Sequence, residues 1–600
     1  MPTLRAHVLK ANKYSEHPRE WVFVDVESDL GAKQSGVVWH DFKLGWACYV
    51  RKGTAKRPER EEWFYFETKD AFWTWLFGLV KNRNQLNVVA HNLLYDFVVL
   101  DGFNRMAGWA TETPLFITEE HCNVWRYRNG DKTIRFLDSL NIFSCSLAEL
   151  GKNVNVGKMV IDFQNDTRDK LSEYCRNDVF ILREAFRQYE EFLSKHDLGS
   201  FAPTAASQAF NAYRHRFMHH KIYIHDNADV IALERAGYYG GRVECLYVGV
   251  APQQTYHLVD VNSMYPYVMR DKGYPTRLCG YLRNPSIAKL WSLYGNYFVL
   301  ADVLVKTTKP RYPYRKDGKL VFPIGTFRTV LCADELSTAL IRNEVVTAFS
   351  AAYYRQECIF KDYVDYLYKL RLEYKQSDNR PYQLFCKLLM NSLYGKFGQR
   401  GGKWETIGKD DVNVYDYRIV FDDYGNEWKE RTIAGVVQRK EEETNSYNSL
   451  VAISAGVTAN ARAYLYGLME IAGAYNVYYV DTDSLIVTDD GLERLQGELE
   501  ATRLGALKVE ATFDKLIIHT LKDYEAGSKV KRKGVPSKAM LLDDGTYTYE
   551  CWPRLATLAR RGTINRYFTF DARKVLARTY DKGVVGPNGW VQPISINQEA

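Results

Sequence analysis

At 600 residues the chain is too long for one core and should divide into several domains. Apolar residues make up 46% and charged residues 26%, ordinary for a globular protein, and a net charge of +7 leans toward nucleic acid. No run of about 18 apolar residues is present to span a membrane, the first residues lack the apolar core of a signal peptide, and the ten cysteines show no paired short spacing, against a zinc or disulfide framework. A reducing, cytoplasmic setting without membrane contact is expected. The 43 tyrosines suit stacking on bases, although most should simply fill cores and strand faces.

The first 190 or so residues alternate apolar strands with helical stretches, an α/β unit. Asp25 and Glu27 follow the strand Trp21-Val22-Phe23-Val24, and alternation puts both carboxylates on one face. His91-Asn92-Leu93-Leu94-Tyr95-Asp96 follows the next strand, Asn87 to Ala90. In the helical stretch Leu171 to Leu193, Tyr174 and Asp178 stand at i, i+4. Four carboxylates could hold two metal ions, and a phenol could orient an attacking water. Each fragment alone is weak, since Asp-x-Glu is common.

After a link near Asp197 to Pro203, strands return at Tyr256 to Val259, which Asp260 ends. Residues 359–397 read as a helical hairpin broken at Ser377-Asp378-Asn379-Arg380-Pro381. Residues 399–445 are polar, with strand-turn character and a tip at Asp422-Asp423-Tyr424-Gly425-Asn426. A helix over about 455–473 and a strand-turn-strand over 476–488 come next. The C-terminal part has basic and β-like stretches, and 535–600 carries no legible motif.

Asp481 and Asp483 fall in the turn of the second hairpin, and with Asp260 they form a set of strand-end carboxylates. Magnesium takes hard oxygen ligands, and carboxylates with substrate phosphates supply them. Lys387, Asn391 and Tyr394 fall at i, i+4, i+7 on one helix face; across the hairpin Arg371 and Lys375 are again i, i+4. Three cations on two antiparallel helices could clamp the phosphates of a nucleotide. Taken alone, Asp-Thr-Asp is a turn and the basic positions a solvated helix face.

Together these segments resemble family B DNA polymerases. Asp260-Val261-Asn262-Ser263-Met264-Tyr265-Pro266, then Lys387 to Gly395, then Tyr479-Val480-Asp481-Thr482-Asp483-Ser484 are similar to the three polymerase motifs, in order. The resemblance implies that Asp260 and Asp483 bind both metals, helped by Asp481 and the Val261 carbonyl. It implies Tyr265 as a steric gate against a 2′-hydroxyl, Lys387 on the phosphates, and Asn391 and Tyr394 at the nascent base pair. The first-domain set resembles the 3′→5′ exonuclease motifs. Asp25, Glu27, Asp96 and Asp178 match the metal ligands, Tyr174 the water-orienting tyrosine and Lys158 a further lysine motif. Asn92, Tyr95, Ser139 and Leu140 match positions that hold a frayed primer end.

About 127 residues separate Asp260 from Lys387 and about 94 separate Lys387 from Asp481. These inserts look similar to the terminal-protein regions of protein-primed polymerases of bacteriophages and linear plasmids, one contacting the priming protein and the other serving strand displacement. Tyr238-Tyr239-Gly240-Gly241 resembles that group's Tyr-x-Gly-Gly linker, with Arg242 as an added phosphate contact. Lys522-Asp523-Tyr524 resembles its Lys-x-Tyr primer motif, followed by the basic Lys531 and Lys533.

The implied fold class is α/β multidomain, a ribonuclease H-like exonuclease domain followed by a right-hand polymerase with two insertions. The expected boundaries are exonuclease 1–195, palm 196–267 and 446–527, first insertion 268–357, fingers 358–398, second insertion 399–445 and thumb 528–600. Implied partners are template and primer DNA, dNTPs and a terminal protein, with two Mg2+ or Mn2+ ions per site, in a monomer working in a host cytoplasm if viral. A conventionally primed or primer-independent family B enzyme would differ only in its inserts. A reverse transcriptase would lack the Lys387 helix and the exonuclease set, and an inactive scaffold would not keep seven carboxylates.

Overall fold

The computed structural model describes residues 6–598 except 56, 120, 121, 164, 403, 412, 413, 422–424, 426, 441–444, 562 and 563. The expected tip at 422–426 therefore lies almost wholly outside the described residues.

The N-terminal unit is built on a ten-stranded mixed sheet. Its central strand, Glu20–Leu30, runs antiparallel to Val37–Arg51 and parallel to Gln85–Ala90, which is parallel in turn to Lys132–Asp138. The helix Arg168–Lys195 covers one face. Thr167 caps it by accepting from the Lys170 N–H, Asp169 sits in its first turn and Lys195 in its last, each matched to the helix dipole. Its apolar stripe, including Cys175, Val179, Leu182 and Phe186, packs on the sheet.

A second sheet orders Val243–Cys245, Val477–Asp481, Ser484–Thr488, Tyr256–Val261 and Leu507–Phe513. The buried helix Val451–Ala472 carries small residues (Ala452, Ala455, Gly456, Ala459) that admit close packing, with Gly456 against Tyr274 and Phe298. Beside it stand the paired helices Lys361–Gln376 and Arg380–Ser392. Asn379 caps the second of these by accepting from the Tyr382 N–H, and Pro381 occupies its first turn, where no backbone donor is needed.

Each long insert forms its own sheet. Residues 274–357 give the antiparallel strands Tyr274–Arg283, Val345–Glu357, Phe298–Thr307 and Ile324–Cys332 around a separate apolar cluster. Residues 404–440 give a four-stranded antiparallel sheet in the order Trp404–Lys409, Val436–Lys440, Glu427–Ile433, Asp416–Phe421, whose Arg431 Nη2 donates to the Phe116 carbonyl at 2.9 Å, and Tyr415 packs on Phe103. The second insert thus rests on the N-terminal unit.

Residues 528–600, the expected thumb, reach three other units. Tyr547–Cys551 and Tyr567–Lys574 extend the N-terminal sheet, pairing Val37–His40 with Tyr567–Phe570. The hairpin Gly583–Val585 and Val591–Pro593 places Trp590 against Tyr478, centroids 4.8 Å apart. Ser595–Asn597 joins the first insert as a parallel edge strand. The segment therefore straps three units together, because its buried residues (Tyr547, Leu558, Tyr567, Phe568) have no core of their own. No helix among the described residues is long and apolar enough to cross a membrane, and no disulfide forms among them.

Candidate active sites

The first site is a cleft of about 560 Å³ between the second sheet and the helical pair. Asp260 enters from the end of its strand, opposite Ser484 on one neighbour and Lys508 on the other. Asp483 follows in the turn that joins Asp481 to Ser484. Burial pushes the Asp260 carboxyl up to about 7, helped by Asp483 and Glu510 and opposed by Lys508 and Lys387. Burial also raises Asp483, with Asp481 adding to it and Lys387 and Lys531 opposing. Two carboxyls that resist ionising side by side are a site short of positive charge.

Facing them from the helical pair are Arg371, Lys375, Lys387 and Asn391, all lining the cleft as the i, i+4 spacings require. Arg371 Nη1 donates to Ser263 Oγ at 2.7 Å, which ties the first helix to the Asp260 loop. Tyr265 and Tyr394 stack with centroids 4.8 Å apart and 18° between planes. The helix carrying Lys387 ends at Ser392, so Tyr394 sits in a following 3-10 turn rather than on the continued helix face. Its ring still borders the cleft. Asp481, expected beside Asp483, does not line the cleft; its carboxylate lies 3.6 Å from Lys522 Nζ.

Tyr368, Gln383, Lys508 and Glu510 also line this cleft and carry no motif. Lys508 and Glu510 alternate along an edge strand, and only the pairing of Asp260 with Lys508 brings them in.

In the second site Asp25, Glu27, Asp96, Tyr174 and Asp178 converge above the first sheet. Burial pushes Asp25 up to about 8, with Asp178 adding to it, and pushes Glu27 up to about 9, with Asp25 and Asp178 adding. Burial likewise holds Asp96 well above the ordinary carboxylate range. Asp96 Oδ1 accepts from the Val26 N–H at 3.1 Å. Lys158 Nζ lies 2.5 Å from Asp178 Oδ2 and 4.7 Å from the centre of the Tyr174 ring.

Two oxygens here, Asp25 Oδ2 and Asp178 Oδ1, are buried without a hydrogen-bond partner. Orphaned carboxylate oxygens in a crowd of carboxylates fit a hard divalent cation. Cys175 Sγ stands within 4.8 Å of the Asp25 and Glu27 donor atoms. It donates to the Asp25 carbonyl oxygen at 3.3 Å and burial holds its thiol well above the usual value, so the donor set is oxygen and not thiolate.

Several expected nucleic-acid contacts are placed otherwise. Ser139 is fully buried, its hydroxyl 2.7 Å from His91 Nδ1, so it braces the site and presents nothing to a strand. Arg242, 1% exposed, is inserted between Phe322 and Tyr466 and donates to Glu244 and the Pro310 carbonyl; it holds no phosphate. Tyr524 is 2% exposed and packs on Tyr479, which makes it a support for the exposed Lys522. Asp523 turns inward to Arg578 at 3.1 Å, so its charge does not face the cleft. Asn92, Tyr95, Leu140, Tyr238 and Gly241 are half-buried, while Gly240, Lys531 and Lys533 are exposed.

Asp138, at the end of the strand Lys132–Asp138, belongs to the second site although no motif marks it. Its Oδ1 accepts from the N–H groups of Asn92 and Leu140 at 3.1 and 3.0 Å, organising both loops of the second site. Asn92, Ser263, Thr482 and Lys522, in or beside the two sites, hold φ between 55° and 66°, a conformation costly for side chains with a Cβ that twelve other described non-glycine residues also adopt.

Residues 158–419 match the family described as DNA polymerase type B, organellar and viral. That match spans 262 of the 600 residues. A probable DNA polymerase of Neurospora intermedia is 25% identical over 370 residues, covering 58% of this chain and 37% of its own, so this chain spans just over a third of that relative. The DNA-directed DNA polymerase of Enterobacteria phage PRD1 is 26% identical over 396 residues, 65% of this chain and 66% of its own. Phi29 DNA polymerase in its ternary complex with primer-template DNA and incoming nucleotide shares the fold, with TM-score 0.63 over 87% of this chain and 93% of that one at 17% identity. The α/β multidomain architecture is thus the fold of that polymerase.

Proposed function

We propose that this chain is a DNA-directed DNA polymerase with a separate 3′→5′ exonuclease site, each served by two divalent ions. The observation that carries the reading is the face-to-face placement of Asp260 and Asp483 against Arg371, Lys375 and Lys387 across one cleft.

Asp260, Asp483 and the Val261 carbonyl would hold Mg2+ or Mn2+, with Asp481 near by; such ions, when bound, activate a 3′-hydroxyl and stabilise the leaving pyrophosphate. The rest falls to the chain itself. Lys387, Lys375 and Arg371 neutralise the triphosphate and hold it in line for attack. Asn391 and Tyr394 border the base, and Tyr265 packs where a 2′-hydroxyl would stand. Lys522, beside Asp481, reaches the primer strand. In the other site Asp25, Glu27, Asp96 and Asp178 would hold the ions, Tyr174 would position a water, and Asn92, Tyr95 and Leu140 would receive the unpaired 3′ end.

Template and primer DNA and dNTPs are the partners this requires. Two long inserts, one between Asp260 and Lys387 and one between Lys387 and Asp481, each folded as its own sheet, support a reading of initiation on a terminal protein, through residues 268–357, and strand displacement, through 399–445. Three assays test the reading. Asp483→Ala should abolish extension of a primed template yet keep degradation of a single-stranded 3′ end, and Asp25→Ala with Glu27→Ala should do the reverse. Loss of both activities in either variant would sink the two-site assignment. Incubation with labelled nucleotide and proteins encoded by neighbouring genes should label one of them covalently; synthesis from nucleic-acid primers alone would remove protein priming.

A further inference from the structure

The two glycines of the Tyr238-Tyr239-Gly240-Gly241 segment face different surroundings. A Cβ on Gly240 would meet nothing within 4 Å. A Cβ on Gly241 would stand 2.9 Å from Thr482 Cγ2, 3.2 Å from Thr482 Oγ1 and 3.2 Å from the Tyr265 hydroxyl. Gly241 does not have the positive φ that favours glycine, so what this position requires is room.

Neither neighbour can easily give way. Thr482 is held at φ 65°, and its N–H donates to the Arg242 carbonyl at 2.7 Å. The Tyr265 ring is stacked on Tyr394. The segment cannot retreat either. Arg462, 2% exposed, donates Nη1 to the carbonyls of Tyr239 and Gly240 at 3.1 and 2.9 Å, and Glu335 fixes it through two bonds of 2.8 Å. On the other side the Arg242 side chain is wedged between Phe322 and Tyr466. Two buried arginines therefore pin the backbone on both sides of Gly241.

We propose that Gly241 is a specificity-determining position that sets how far Tyr265 projects toward the nucleotide sugar, an inference that rests on the reading of Tyr265 as the sugar gate. Tyr265 lines the cleft, and Gly241, which does not, stands at its hydroxyl end. A methyl at 241 drives the ring forward, narrowing the space for the sugar of every nucleotide and most of all for one with a 2′-hydroxyl. Arg462 acts on the gate through Gly241 and is a positioning residue.

The test is steady-state extension of a defined primer-template by Gly241→Ala, with a dNTP and with the matching ribonucleotide. The dNTP KM should rise roughly ten-fold, the order that one extra methyl in a packed site carries, with a smaller change in kcat and stricter exclusion of the ribonucleotide. Gly241→Ala with Tyr265→Phe removes the hydroxyl that the methyl meets, and should return KM to that of Tyr265→Phe alone. Degradation of a single-stranded 3′ end, at the other site, reports that each variant is folded. Unchanged nucleotide KM with weakened primer-template affinity would overturn the proposal, as would a fall in kcat alone that the Phe substitution does not relieve. If Tyr265→Val leaves sugar preference unaltered, the gate reading itself fails; if Tyr265→Val relaxes preference while Gly241→Ala does nothing, only the present inference falls.

Discussion

The Lys158 ammonium binds one oxygen of Asp178 at 2.5 Å and lies over the face of Tyr174, leaving the other Asp178 oxygen buried without a partner. Burial works to lower the lysine, but the Asp178 charge and hydrogen bond outweigh it and raise it, so Lys158 stays charged throughout the working pH range. One cation thus orients both the carboxylate and the phenol. Lys158→Met, which keeps the length and removes the charge, should slow 3′-end degradation by roughly 10- to 100-fold, the usual effect of removing a group that orients a metal ligand. Extension by the other site should be retained, and a gel assay of both activities on one preparation checks it.

The carboxyl crowding has a sign that can be measured. Asp25 and Glu27 are pushed up to about 8 and about 9 by burial and by each other's neighbourhood. A carboxyl raised in the folded state favours folding while it remains protonated, and that contribution is lost as pH rises through its folded value. The metal-free domain should therefore weaken from about pH 5 upward to about pH 9. Mn2+ replaces the missing protons, so the rise in melting temperature on adding Mn2+ should be larger at pH 8.5 than at pH 6, on the order of a few degrees. Asp25→Asn with Glu27→Gln should flatten that difference; an equal shift at both pH values would count against the ion site.

Glu335 and Arg462 are 3% and 2% exposed and doubly bonded. Removing one partner strands the other charge in the interior. Arg462→Met should destabilise the junction of the first insert and the second sheet by about 3–5 kcal/mol, and Arg462→Met with Glu335→Leu should recover much of it. Urea unfolding followed by proteolysis within 274–357 reads both.

The strand Tyr567–Lys574 completes the wall of the second site, with Tyr567 edge-on to Tyr95, centroids 5.0 Å apart. Phe568 is 1% exposed. Phe568→Asp places an unpaired charge in that core, at about 3 kcal/mol or more. The expected result is protease cleavage within 547–574 and impaired degradation, with extension less affected.

Local pattern carried much of this site into view from residue order alone. Asp25 and Glu27 follow the apolar run 21–24, Asp260 lies near the end of its strand and Asp483 in a hairpin turn, and the helices 168–195 and 380–392 follow from caps and spacing. What stayed hidden depended on distant partners. Arg242 follows two glycines and reads as a surface cation until Phe322 and Tyr466 enclose it. Ser139 lies beside the site, but its burial depends on His91. The helix break after Ser392 is local yet subtle, because a 3-10 turn keeps Tyr394 near the place that continued spacing assigns it. The strands at 547–574 are plain β patterns whose destination, a sheet begun in the first 50 residues, no local rule encodes.

That destination bears on how the protein is made. His40 and Thr569, in contact across the sheet, lie 529 residues apart in the chain. At about 5–20 residues per second, synthesis leaves the Val37–His40 edge unpaired for roughly half a minute to two minutes. During that interval the nascent domain exposes open backbone donors and acceptors to any extended strand. Chaperone dependence during translation, and aggregation of fragments that stop before residue 567, should therefore be properties of the edge at Val37–His40.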